Sequence, residues 1–138
     1  MKAFQMLPLL MGLSALALGT FAPAVPADSV HIEGVLFKQG PGGAWRVSTR
    51  LRHGDTGWKH YADAWRVVDA EGVVLGERLL AHPHVSEQPF TRSQSGIKIP
   101  SALSEVFVEA HDKVHGWSAD RLRVDLSQAS GYRFSVKR

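Results

Sequence analysis

The clearest pattern along the chain is strict alternation. In AWRVSTRLRH, residues 44–53, Trp45, Val47, Thr49 and Leu51 fall on one side, and Arg46, Ser48, Arg50 and Arg52 on the other. A period of two predicts a half-buried strand. VHIEGVLF (30–37) precedes it as a strand and ends in the glycine-rich turn KQGPGG. YADAWRVVD and VVLGERLLA flank DAEG, an Asp-X-X-Gly turn between apolar runs, which predicts a hairpin. PFTRSQSGIKIP reads as extended and polar up to Pro100. SEVFVEAH is β-branched, DRLRVDL alternates, and YRFSVK adds a short final strand. PSALSE (100–105) is the one segment that reads as a helical turn.

The pattern predicts about seven strands, or eight with the last, and no long helix. Short strands at intervals of roughly 10 to 15 residues indicate an all-β fold, an antiparallel β-sandwich. Trp65 then occupies the centre of a strand as a core residue. Phe37, Trp45 and Phe107 are expected in the core or at its rim.

The first 27 residues stand outside this pattern. Lys2 is followed by an apolar stretch from Met6 to Phe21, and then by APAVPA, with Val25 and Ala27 at the small-residue positions of a cleavage site. This is the pattern of a secretory signal peptide, and the run is short for a membrane span. The expected organisation is a signal peptide over 1–27 and a single domain over 28–138. The domain is periplasmic or secreted and has no membrane insertion after cleavage. The 138 residues contain no cysteine, so neither a disulfide nor a lipid-bearing cysteine is expected. All three methionines, Met1, Met6 and Met11, lie in the leader, which removes soft sulfur ligands from the domain.

The formal charge is +3, one unit of it from Lys2. A nucleic-acid partner would need a denser basic footprint and is not expected. An unidentified protein or small ligand is the expected partner.

Candidate chemistry lies in the seven histidines. In an up-and-down sandwich, His31, the loop with His53 and His60 (HGDTGWKH), the segment with His82 and His84 (HPH), and the loop with His111 and His115 (HDKVHG) all reach one pole. Asp55, Asp63, Glu87 and Asp112 accompany them. Histidine and carboxylate ligands without sulfur suit Zn or Cu(II). His82 and His84, two apart on an extended chain, project to one side. The leading ligand set is His82, His84 and His111, followed by His53, His60 and His115; His31 comes last. Each histidine also has a plain reading, as a surface polar group or a hydrogen-bonded core residue, and Pro83 has one as the end of a strand.

Trp58, Tyr61 and Trp117 offer a second chemistry, a platform for a protein or glycan partner, unless they only cover the end of the core. No nucleophile elbow, HExxH motif or phosphate loop supports an enzyme, so no catalytic residue is assigned. A metal-binding domain for sequestration or delivery leads. A metal-free interaction module is the alternative, and a metal-dependent hydrolase or oxidase comes third.

By its strand pattern most of the domain resembles immunoglobulin-like or fibronectin-III-like sandwich domains of bacterial secreted proteins. In HYADAW, HPHVSEQPFTRS and EAHDKVHGW it also resembles small exported proteobacterial proteins without an assigned activity. That resemblance implies a fold and a compartment, and no chemistry.

Overall fold

The computed structural model describes residues 29–138. The expected signal peptide and its cleavage site lie outside the described residues. Within them the chain forms ten strands and no helix. These are β1 (His31–Gln39), β2 (Trp45–Arg52), β3 (Ala62–Val68), β4 (Val74–Leu79), β5 (Phe90–Ile97), β6 (Glu105–Asp112), β7 (Gly116–Trp117), β8 (Leu122–Asp125), β9 (Ser130–Gly131) and β10 (Phe134–Lys137).

Two sheets stack face to face. The first has the order β5-β2-β1-β10-β9; the second has β4-β3-β6-β7, with β8 also paired to β6. All pairings are antiparallel except that of β1 with β10, where Val35 faces Phe134 and Lys38 faces Lys137. This is a β-sandwich, as the alternation predicted.

The inward positions of both sheets make one core. Trp45, Val47, Thr49 and Leu51 of β2 are buried, while Arg46, Arg50 and Arg52 are exposed. Opposite them stand Trp65 and Val67 of β3 and Val106, Val108 and Ala110 of β6. Phe37 meets Trp45 edge-on at 6.1 Å between ring centroids, a favoured aromatic geometry. Trp65 is fully buried, in accord with a core role. Phe107 lies on the outer side of β6, beneath the Arg121 guanidinium at 4.1 Å.

The DAEG hairpin forms as expected. Asp69 Oδ1 accepts from the backbone N–H of Glu71 and Val73, and Gly72 supplies the positive φ of 84° that this turn requires. PSALSE differs from expectation. It makes one hydrogen-bonded turn, with Leu103 N–H donating to the Pro100 carbonyl, and then enters β6. Four residues leave no room to repay helix nucleation.

A clasp holds the start of β1, ahead of the stretch that pairs with β10. Asp120 accepts from the Ile32 N–H and from both Nη atoms of Arg133, while His31 Nδ1 lies 2.9 Å away. Burial alone would raise the Asp120 pKa, but hydrogen bonds from Arg133 and Ile32, with the Arg133 and His31 charges, hold it below its usual 3.8. A depressed carboxyl stabilises the fold above its unfolded pKa, and this is lost as pH falls through the folded value. Urea unfolding from pH 7 down to about 3 is expected to show a smaller loss of stability in Asp120→Asn than in the parent below about pH 4. Equal acid sensitivity would contradict the clasp.

Candidate metal centre

The strand registers bring all the histidines to one end of the sandwich. His31 opens β1 opposite Arg52, the last residue of β2, and Leu51 faces Phe90, the first residue of β5. In the second sheet, Ala62 at the start of β3 faces Asp112 at the end of β6, and Ala64 faces Leu79 at the end of β4.

Two strands then deliver polar side chains into the core end by simple continuation of their phase. In β2 the buried series Val47, Thr49, Leu51 runs on to His53. In β6 the series Val106, Val108, Ala110 runs on to Asp112. His53, Asp55, His84 and Asp112 are the buried polar groups at this end.

Asp112 is fully buried. Its Oδ1 accepts from the N–H of Val114 at 2.9 Å and of His115 at 2.7 Å, an Asx turn that fixes the 112–116 loop. The loop returns the His115 ring to its own carboxylate, with Nδ1 3.1 Å from Oδ1. From the 53–60 loop, His60 Nε2 lies 3.5 Å from Oδ1 and His53 Nε2 lies 3.8 Å from Oδ2. The rings are in contact, with centroids 4.9 Å apart for His53 and His60 and 5.1 Å for His60 and His115. His60 Nε2 is buried without a hydrogen-bond partner.

Asp55 stands behind this group. Its Oδ1 accepts from His53 Nδ1 at 2.5 Å and from Ala62 N–H at 3.0 Å, and its Oδ2 from His84 N–H at 2.8 Å. With Nδ1 donating to Asp55, His53 turns Nε2 towards Asp112. A histidine oriented by a carboxylate on its far nitrogen is the usual arrangement around protein-bound metals. Gln88 ties the same loops together, accepting from His53 N–H and donating to the His84 carbonyl.

His53, His60 and Asp112 each present one ligand atom, and these lie within 4.8 Å of one another. Two ligands at about 2.0–2.2 Å from a zinc ion can stand at most about 4.4 Å apart. The three side chains would therefore close inward slightly on an ion. Burial alone would raise the Asp112 pKa, but the backbone N–H of His115 and Val114 and the His115 ring outweigh it and hold the carboxyl below its usual 3.8. Among the described residues, neither Asp112 nor Asp55 is paired with Lys or Arg; the side chains that face them in ion-pair range are all imidazoles. Buried carboxylates are normally paired with cations or bind metals.

The six candidate ligands separate into three places. His53, His60 and His115 surround Asp112. His84 is buried behind Asp55, stacked on Phe90 at 3.9 Å, and its Nε2 accepts from Arg92 Nη2 at 2.8 Å. Burial first, then the charges of Arg92 and His82, lower its pKa, so it is neutral at pH 7. His82 is exposed, with its ring 4.6 Å from that of His84. His111 is on the opposite side of β6 from Asp112. There its Nδ1 lies 2.5 Å from Asp63 Oδ1 and its ring meets Trp117. The leading trio of His82, His84 and His111 is thus not gathered around one point.

The aromatic candidates have separate partners. Trp58 is 65% exposed and meets the buried Tyr61 edge-on at 5.9 Å. Trp117 lies beneath the Arg66 guanidinium at 3.7 Å. In sequence Asp55 and Asp112 accompany the histidines without a role of their own, and Gln88 and Arg92 carry no signal there. The phase of β2 and β6 is the signal that identifies the inward-facing pair His53 and Asp112.

Comparison with known proteins gives one informative likeness. The chain is 38% identical over 100 residues, 72% of its length, to a protein of the archaeon Halomicrobium mukohataei named "Putative lipoprotein". It spans about half (49%) of that relative's length. No family pattern matches the chain, and no solved structure matches it.

Proposed function

We propose that this is an exported domain of the cell envelope that holds one divalent metal ion, Zn or Cu(II), at its histidine-rich pole. Its role is sequestration or delivery. His53, His60 and Asp112 are the ligands, His115 is placed for the fourth position, and Asp55 orients His53. The observation that carries the reading is the fully buried Asp112 carboxylate, ringed by three imidazoles and no Lys or Arg, with His60 Nε2 buried and unpartnered beside it.

Imidazole and carboxylate donors suit Zn and Cu(II), and the domain offers no thiolate or thioether for Cu(I). Export is supported by the leader pattern of residues 1–27 and by the lipoprotein name of the archaeal relative. The 138 residues contain no cysteine to carry a lipid, so this chain is proposed to be secreted or periplasmic.

Calorimetric titration of the full chain with Zn²⁺ and Cu²⁺ tests the reading. One-to-one binding is expected, lost in His60→Ala and kept in His111→Ala. Binding lost in His111→Ala but kept in His60→Ala would overturn the ligand assignment.

A second reading rests on Trp58, whose ring stands in solvent at the same pole. There it would stack on a glycan or protein partner, with Tyr61 fixing its edge and Trp117 on a separate face.

A further inference from the structure

The small net charge conceals a strong division between the two sheets. The five strands of the first sheet carry six cationic side chains and one carboxylate, Glu33. The strands of the second carry three cations and six carboxylates.

On the solvent face of the first sheet, Arg46, Lys38 and Lys137 stand in register on three neighbouring strands. Like charges placed directly across a ladder are destabilising. Among the described residues none of the three has an ion-pair partner. Arg46 Nη1 donates instead to Ser95 Oγ at 2.8 Å. Arg50 and Arg52 extend the row along β2, and both share Glu33. Between the cations are hydroxyls, with Ser48 and Ser93 Oγ atoms 2.7 Å apart.

We infer that this face is a docking surface for a linear anionic polysaccharide. A row of uncompensated cations spread over strands about 4.8 Å apart fits an extended polyanion rather than a single small anion. The interleaved hydroxyls give and accept hydrogen bonds with sugar hydroxyls. None of the large exposed apolar side chains, among them Trp58, Leu79, Val85 and Tyr132, belongs to a strand of this sheet. The face therefore offers no wedge for a bilayer and no ring on which bases would stack. The site is separate from the metal pole and does not depend on it.

The test measures binding of the full chain to polygalacturonate, with neutral dextran, duplex DNA and phosphatidylglycerol vesicles alongside. Two variants remove equal charge. Lys38→Gln/Arg46→Gln/Lys137→Gln changes the face, and Lys59→Gln/Lys113→Gln/Arg123→Gln changes exposed cations elsewhere. Polygalacturonate binding is expected, weakened by salt as the screening length shrinks. It should fall about tenfold or more in the face variant and stay within about twofold in the other. All six side chains are exposed, and matching thermal unfolding checks that both variants fold. No binding, or equal loss in both variants, would overturn the inference. So would DNA or vesicles binding more tightly than polygalacturonate.

Discussion

Asp55→Ala is expected to lower the free energy of unfolding by about 3–5 kcal/mol. The carboxylate is buried and accepts from three donors that belong to different segments: the His53 ring, the Ala62 N–H at the start of β3, and the His84 N–H in the β4–β5 loop. Truncation leaves two backbone N–H groups and one ring N–H without their acceptor. Each unsatisfied buried donor costs roughly 1–3 kcal/mol. Asp55→Asn separates charge from hydrogen bonding. Its carbonyl oxygen at the Oδ1 position keeps His53 and Ala62, while its NH₂ then faces the His84 N–H. An intermediate loss of about 1–3 kcal/mol is expected. Urea unfolding of the three proteins in metal-free buffer gives the ranking. An Ala variant as stable as the parent would show that Asp55 does not join these loops.

Asp112→Asn is expected to keep the fold and abolish tight metal binding. The amide oxygen can still accept from Val114 and His115, so the turn that closes the 112–116 loop survives. The charge that would attract a cation is gone. Loss of an orienting partner typically weakens a metal site by about 10–100-fold, and loss of the only anionic ligand should exceed that, by at least about 100-fold. A ligand that binds only the native state at 100 times its Kd adds about 2.7 kcal/mol to stability. Thermal unfolding with and without Zn²⁺ should therefore rise for the parent and stay fixed for Asp112→Asn. A variant stabilised by Zn²⁺ as much as the parent would remove Asp112 from the site.

The division of the histidines shows how far sequence carries the reading. Alternation in β2 was plain because Arg46, Ser48, Arg50 and Arg52 interleave with Trp45, Val47, Thr49 and Leu51. The DAEG hairpin was equally plain, since Asp69 and Gly72 are required by the turn itself. The common pole followed from strands running up and down. What pole assignment alone misses is side-chain phase. His111 and Asp112 are neighbours in sequence, but successive residues of a strand face opposite ways. Extending the buried series of β6 places Asp112 inward and His111 outward.

Other features were out of reach because they depend on distant partners. HPH looked like a ligand pair, but the guanidinium that takes His84 Nε2 comes from Arg92 on β5, and the carboxylate beside it from Asp55 on another loop. The parallel pairing of β10 with β1 joins residues about 100 apart in sequence, where no local pattern applies. The charge division between the sheets was hidden by strand order. Lys38, Arg46 and Lys137 are scattered in sequence and become neighbours only through the registers of β1 with β2 and β10.

The most direct test of the central claim is X-ray absorption at the metal edge of the full chain loaded with one equivalent of Zn²⁺, compared with His53→Ala. The account predicts a first shell of nitrogen and oxygen at about 2.0–2.2 Å, with imidazole scattering from at least two rings that falls by one ring in the variant. A hydrated ion with no imidazole signal, or a spectrum unchanged by His53→Ala, would contradict it.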